Sequence, residues 1–171
     1  MRDTIPLAGA AAPGSASDAS APVRLVETAI AAMSHPWVGA VLGLLARVLP
    51  AIVFFRSGLT RVDGFGISET TYFLFAEEFK VPLLPPNVAA VMTTIAEITL
   101  PPLLVLGLAS RFAALGMFVM TLVIQLFVYP DAFMTAHGWW MVALLVVIHR
   151  GPGLLSLDHL IARRLGRQTR A

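Results

Sequence analysis

The stretch "GLLARVLPAIVFFRSGL", residues 43–59, decides the fold of this chain. Nearly every side chain in it belongs in hydrocarbon, yet Arg47 and Arg56 carry permanent charge. About a dozen Val, Leu, Ile and Phe residues contribute roughly −0.3 to −0.6 kcal/mol each toward membrane insertion, against about +2.5 to +3.5 kcal/mol for one central arginine. The segment inserts, and Arg47 calls for a buried partner.

The whole chain agrees with its decisive segment. Of 171 residues, 57% are hydrophobic and only 13% charged, and mean hydropathy is +0.81. A soluble domain of this length carries about 25% charged residues, so the composition specifies an all-α integral membrane protein. Cysteine is absent, which excludes disulfides, thiolate metal sites and iron–sulfur clusters held by this chain. The net charge is only +2. Its basic excess is local to the C-terminus and speaks to lipid headgroups, not to nucleic acid.

Four apolar segments are long enough to span, at about 38–59, 87–108, 111–129 and 133–149, because roughly 20 helical residues cross a bilayer core. They predict a four-helix membrane bundle over 37–150. Residues 1–36, rich in Ala, Ser, Gly and Pro, read as a low-complexity tail with a short helix over "VRLVETAIAAM". No apolar run follows Arg2 and Asp3, so a signal peptide is not expected. Residues 151–171 read as a basic helix and tail, begun by Gly151, Pro152 and Gly153 and capped by Ser156.

Arginine placement orients the bundle. Arg2, Arg24, Arg111, Arg150, Arg163, Arg164, Arg167 and Arg170 fall on one side, and Arg61 and Lys80 on the other. Both termini are therefore expected inside a bacterial inner membrane. Trp37 marks the inner belt; Tyr129, Trp139 and Trp140 mark the outer one. The 60–86 connection contains "SETTYFLFAEEF", which predicts an amphipathic segment at 68–79 on the outer surface, with Ser68 as its N-cap. Asn87 is expected to open the second span.

Helix arithmetic supplies the partner. Arg47 lies about 14 Å from the inner end of the first span, Glu97 about 16 Å from that of the second, and Thr121 about 15 Å along the third. Thr93, Thr94 and Glu97 share one helix face, and Thr121 and Gln125 another. The expected polar core is Arg47, Glu97, Thr94, Thr121 and Gln125, with Arg47 paired to Glu97. Pro101 and Pro102 free the carbonyls of Glu97 and Ile98 for the same arginine, and Pro50 frees that of Ala46. Arg56, on the opposite face near the outer end, reads as an interfacial anchor or as part of a site with Gln125 and His137. His137 reads as an interface residue or a proton acceptor. The Arg47–Glu97 pair itself reads either as a register lock or as a ligand site. No metal site is expected.

The segments "LLARVLPAIVFFRSGLTRVDGFG", "AEITLPPLLVLGLASRFAALGMFVM" and "RGPGLLSLDHLI" together resemble the DoxX family of small bacterial membrane proteins over about 41–162. The matching positions are Arg47, Gly58, Arg61, Glu97, Gly151 to Gly153, Ser156 and Asp158. The aromatic–His–Gly ending that the family often shows in its first helix reads "FFRSGL" here. The resemblance implies a four-helix membrane fold and a link to membrane redox complexes, with quinone as the implied ligand.

Three functions stand open at this stage. One is a quinone-associated accessory subunit, with redox activity only alongside a partner, because this chain carries no complete catalytic constellation. The second is a non-catalytic scaffold for partner proteins, and the third a small proton-linked transporter. All three place the chain in lipid, with a protein partner or a second copy of itself.

Overall fold

The computed structural model describes residues 21–79 and 81–168; side chains are described to residue 166. Most of the predicted tail, Lys80 and Arg170 lie outside these residues. Contacts divide the chain into two units, 1–35 and 36–171. In the first, helix α1 (Ala21–Met33) covers the predicted "VRLVETAIAAM" and ends with Ser34 N–H donating to the Ile30 carbonyl.

The second unit holds the four spans. Helix α2 runs Pro36–Thr60 and is followed by a two-stranded antiparallel hairpin, β1 (Val62–Asp63) with β2 (Gly66–Ile67). Helix α3 (Glu69–Glu77) comes next, then α4 (Pro86–Leu106), α5 (Ser110–Phe127), α6 (Gly138–Arg150) and α7 (Leu157–Gln168). Helices α2, α4, α5 and α6 form a closed ring, each packed against the next, with α3 laid on α4. Four stretches, Pro36–Thr60, Pro86–Leu106, Ser110–Phe127 and Pro130–Arg150, have the length and apolarity to cross a membrane. The protein is a multi-pass membrane protein.

Local chemistry explains the boundaries. Pro86 rather than Asn87 opens α4, at the first helical position, where a missing N–H costs nothing. Gly107 ends α4 in the left-handed conformation at φ 73°, as a C-terminal glycine commonly does. The Ser68 side chain accepts from Thr71 N–H at 3.3 Å and caps α3 as expected. The fourth span is regular only from Gly138. A 3-10 turn (Pro130–Ala132) and a π turn (Phe133–His137) complete it.

The bundle is held by small residues on its inner faces. Ala51, Ala113 and Ala114 pack with Phe54, Leu104, Met117 and Leu144. A Cβ on Gly58 would lie 3.0 Å from the Cβ of Glu97, and one on Gly116 would lie 2.8 Å from Leu100. Membrane helices gain no hydrophobic drive from meeting one another, so close backbone approach through Gly and Ala supplies the packing. The outer surface is correspondingly apolar, with Val41, Leu49, Met92, Phe112, Val142 and other large side chains exposed.

Candidate functional site

Glu97 and Arg47 do not pair. The Glu97 carboxylate accepts from Arg61 instead, Nε to Oε2 at 2.6 Å and Nη2 to Oε1 at 3.2 Å. The sequence arithmetic failed on two counts. It placed the ends of both spans in one plane, and it left the guanidinium level with its own Cα. Helical side chains lean toward the N-terminus, and here the head of Arg47 lies beside Gly107 while Gly58 lies against Glu97. Along α4 those neighbours are ten residues apart, about 15 Å.

Two polar centres therefore occupy opposite ends of the bundle. At one end, Arg47 is completely buried. Its Nε donates to the Gly43 carbonyl at 3.3 Å, Nη1 to Val105 at 3.4 Å and Nη2 to Leu155 at 2.6 Å. The carbonyls expected to be freed by Pro50, Pro101 and Pro102 are not the ones it takes. Asp158 completes the arrangement by bonding to the start of α5: Oδ1 accepts from Ala109 N–H at 2.9 Å, and Oδ2 accepts from Ser110 N–H at 3.0 Å and Ser110 Oγ at 2.9 Å. Ala109 has no side chain to cap α5, and Asp158 supplies the cap from 48 residues along the chain. Burial pushes the Asp158 carboxyl up. Its bonds from Ser110 and Ala109 and the charge of Arg47 outweigh this and hold it below the usual carboxylate range. Ser156 Oγ accepts from His159 N–H at 3.1 Å and caps α7 as predicted. Arg47 answers for its burial here as a staple between α2, the end of α4 and the Gly-Pro-Gly loop.

The other end holds a cavity of about 610 Å³, with Arg61, Glu97 and His137 in its lining. Arg61 follows α2 directly, and its position is set through its backbone. The Arg61 carbonyl accepts from Ser68 N–H at 2.9 Å and from Thr71 Oγ1 at 3.1 Å. The N-cap of α3 thus grips the residue whose head reaches Glu97. The guanidinium lies 5.2 Å from the Phe75 ring centre and 5.7 Å from that of Phe79, within cation–π range. Arg61 is 12% exposed and Glu97 2%. Helix α3 is consequently more than a surface helix: it buries Phe75 over the ion pair.

His137, read from sequence as an interface residue or a proton acceptor, is buried. Its Nδ1 lies 2.7 Å from Gln125 Oε1, and Gln125 Nε2 donates to the Pro130 carbonyl at 2.5 Å. Because Oε1 can only accept, Nδ1 carries the hydrogen, and the neutral ring keeps its lone pair on Nε2. Trp140, assigned to the outer belt from sequence, is half-buried, with its ring 5.2 Å from that of His137 and edge-on to Phe54 at 5.7 Å.

The other predicted site residues divide. Thr93 lines the cavity. Thr94 and Thr121 are buried, each hydroxyl donating within its own helix, to Ala90 and Met117 at 2.8 Å, and neither is in the cavity lining. Gln125 positions His137. Arg56 is exposed and outside the cavity lining. The residue that sequence reasoning missed is Arg61. Its signal was Gly58, the small residue three positions earlier that brings the end of α2 against Glu97.

A family model described as DoxX matches residues 42–130. An uncharacterized protein of Haemophilus influenzae is 29% identical over 129 residues, which cover 70% of this chain and 83% of that protein. No solved structure matches the chain.

Proposed function

The chain belongs to the DoxX family, and from that premise we propose that it is a quinone-associated accessory subunit of a membrane redox complex. One observation carries the reading: an apolar cavity of about 610 Å³ that holds a buried, bidentate Arg61–Glu97 pair together with His137. Met92 and Val119 belong both to the cavity wall and to the exposed apolar surface of the bundle, which suits a ligand arriving from lipid. A quinone would bring the electron chemistry that no side chain here supplies.

The residues of this chain fit such a headgroup. Arg61 has five N–H donors and uses two on Glu97, so it retains hydrogens for a carbonyl oxygen. Glu97 neutralises the site and fixes the guanidinium plane, which favours an uncharged headgroup. His137, held by Gln125, can exchange a proton at Nε2. Phe75 and Phe79 exclude water from the pair.

The same reading places the chain in a bacterial inner membrane with both termini inside. Arg111, Arg150, Arg163 and Arg164 all belong to the Arg47 end, and Arg61 to the other, as the positive-inside rule requires.

The test is quinone content per chain after purification in mild detergent from the native membrane, with folding of each variant confirmed. Near-stoichiometric quinone in the wild type, reduced in Glu97→Gln and His137→Phe, is expected. Background quinone in all three overturns the reading in favour of a scaffold without a ligand.

A further inference from the structure

The four spans end beside a helix that the cavity does not use. Helix α7 starts at Leu157, and Asp158 ties its first turn to Ala109 and Ser110 at the start of α5. The Asp158 amide also donates to the Gly107 carbonyl at 2.9 Å. These bonds hold the first turn of α7 against the end of α4 and the start of α5, where two of the apolar spans stop.

Its residues are sorted for that level. At 100° per residue, Leu157, Leu160, Ile161 and Leu165 occupy one half of the helix, with Arg164 among them and Arg163 just beyond its edge. The other half carries Asp158, His159, Ala162 and Gly166. Leu160 and Ile161 are exposed, as are Arg163 and Arg164. Arg111 and Arg150, also exposed, stand at the same ends of their spans. Large apolar side chains on one half of a helix, with one arginine among them and another at the edge, match an interfacial site. The apolar groups enter the acyl boundary while the guanidinium groups reach outward to phosphate.

We propose that α7 lies flat on its own bilayer and binds anionic lipid headgroups through Arg163 and Arg164, with Arg111 and Arg150 extending the same basic surface. Charge complementarity selects this occupant over a zwitterionic surface. Each arginine near an anionic membrane is worth about a fivefold change in partitioning. Asp158 is not available to cancel them, since its two oxygens are committed to α5.

The chain has no cysteine, so single-cysteine labelling is clean. The full-length protein carrying Leu160→Cys or Ala162→Cys is labelled with an environment-sensitive fluorophore. It is then placed in nanodiscs of phosphatidylcholine alone or with phosphatidylglycerol, each with and without nitroxide-labelled lipid. Expected are blue-shifted emission and nitroxide quenching at 160 but not at 162, stronger in the anionic discs and weakened there by Arg163→Gln with Arg164→Gln. Equal quenching in both lipids, or no effect of the arginine pair, overturns the headgroup assignment. A blue shift at 160 without nitroxide quenching overturns it in favour of a protein surface. Retained four-helix content by circular dichroism shows that a weakened signal is not unfolding.

Discussion

Arg61 and Glu97 form a two-point ion pair across 36 residues of sequence, with Nε–Oε2 at 2.6 Å, at the end of the bundle opposite the fully buried Arg47. Each half of the pair depends on a different helix contact. Glu97 is admitted by the bare backbone of Gly58, and Arg61 is steered by the N-cap of α3.

Breaking the pair from one side leaves a charge in a low-dielectric site. Arg61→Leu is expected to cost about 3–5 kcal/mol of stability, and Arg61→Leu with Glu97→Leu to recover most of it. Arg47→Leu with Glu97→Leu should instead be close to additive, because the two residues share no bond. Thermal unfolding in detergent of the full double-mutant cycles checks this, and strong coupling between 47 and 97 would refute the geometry.

Gly58→Ala inserts a Cβ 3.0 Å from the Glu97 Cβ and 3.1 Å from its backbone carbon. The backbone atom cannot swing aside as a flexible side chain would, so overpacking should cost about 1–3 kcal/mol. Gly43→Ala, with nothing within 4 Å, is the control and should be nearly neutral. Equal losses at both positions would count against the close approach of α2 and α4.

The tether of α7 should respond to acid at a lower pH than an ordinary carboxylate. The Asp158 pKa is depressed in the folded chain, so its contribution is present above the unfolded value, about 3.9, and is lost only as pH falls through the lower folded value. Protection of the Ala109 and Ser110 amides from hydrogen exchange, relative to the intrinsic rate at each pH, should hold through about pH 4 and fall below it. Asp158→Asn should expose these amides across the whole range; unchanged protection in that variant would sink the assignment.

Gly107 tests the same end independently. At φ 73°, a Cβ there would lie 2.5 Å from Arg47 Nη1 and 2.8 Å from the Ser156 backbone. Gly107→Ala should destabilise by about 1 kcal/mol or more and should loosen the Gly-Pro-Gly loop, measured as faster proteolysis between α6 and α7.

Gln125→Leu separates His137 from its orienting partner without touching the ion pair. Bound quinone per chain should fall while the melting temperature moves less than for Arg61→Leu. A variant that retains full occupancy would assign His137 a packing role beside Trp140.

The division between sequence and tertiary structure runs along the period of the helix. Apolar run length, the glycines and prolines that stop each run, and the Ser68 and Ser156 caps are local properties. From them the sequence by itself determined the membrane class, four spans and the placement of α3 and α7. Depth is legible too, but only along one helix at a time. Which charges meet depends on how far one helix slides against its neighbour and on where a long side chain carries its head, and neither is encoded in a run length. The slide is set by where small residues let backbones touch, Gly58 on Glu97 and Gly116 on Leu100. That register moved Glu97 from Arg47 to Arg61, brought Asp158 to the start of α5, and turned His137 inward. Packing between helices alone decided that the arginine in the decisive segment is a staple and that the cavity belongs to the one just beyond its end.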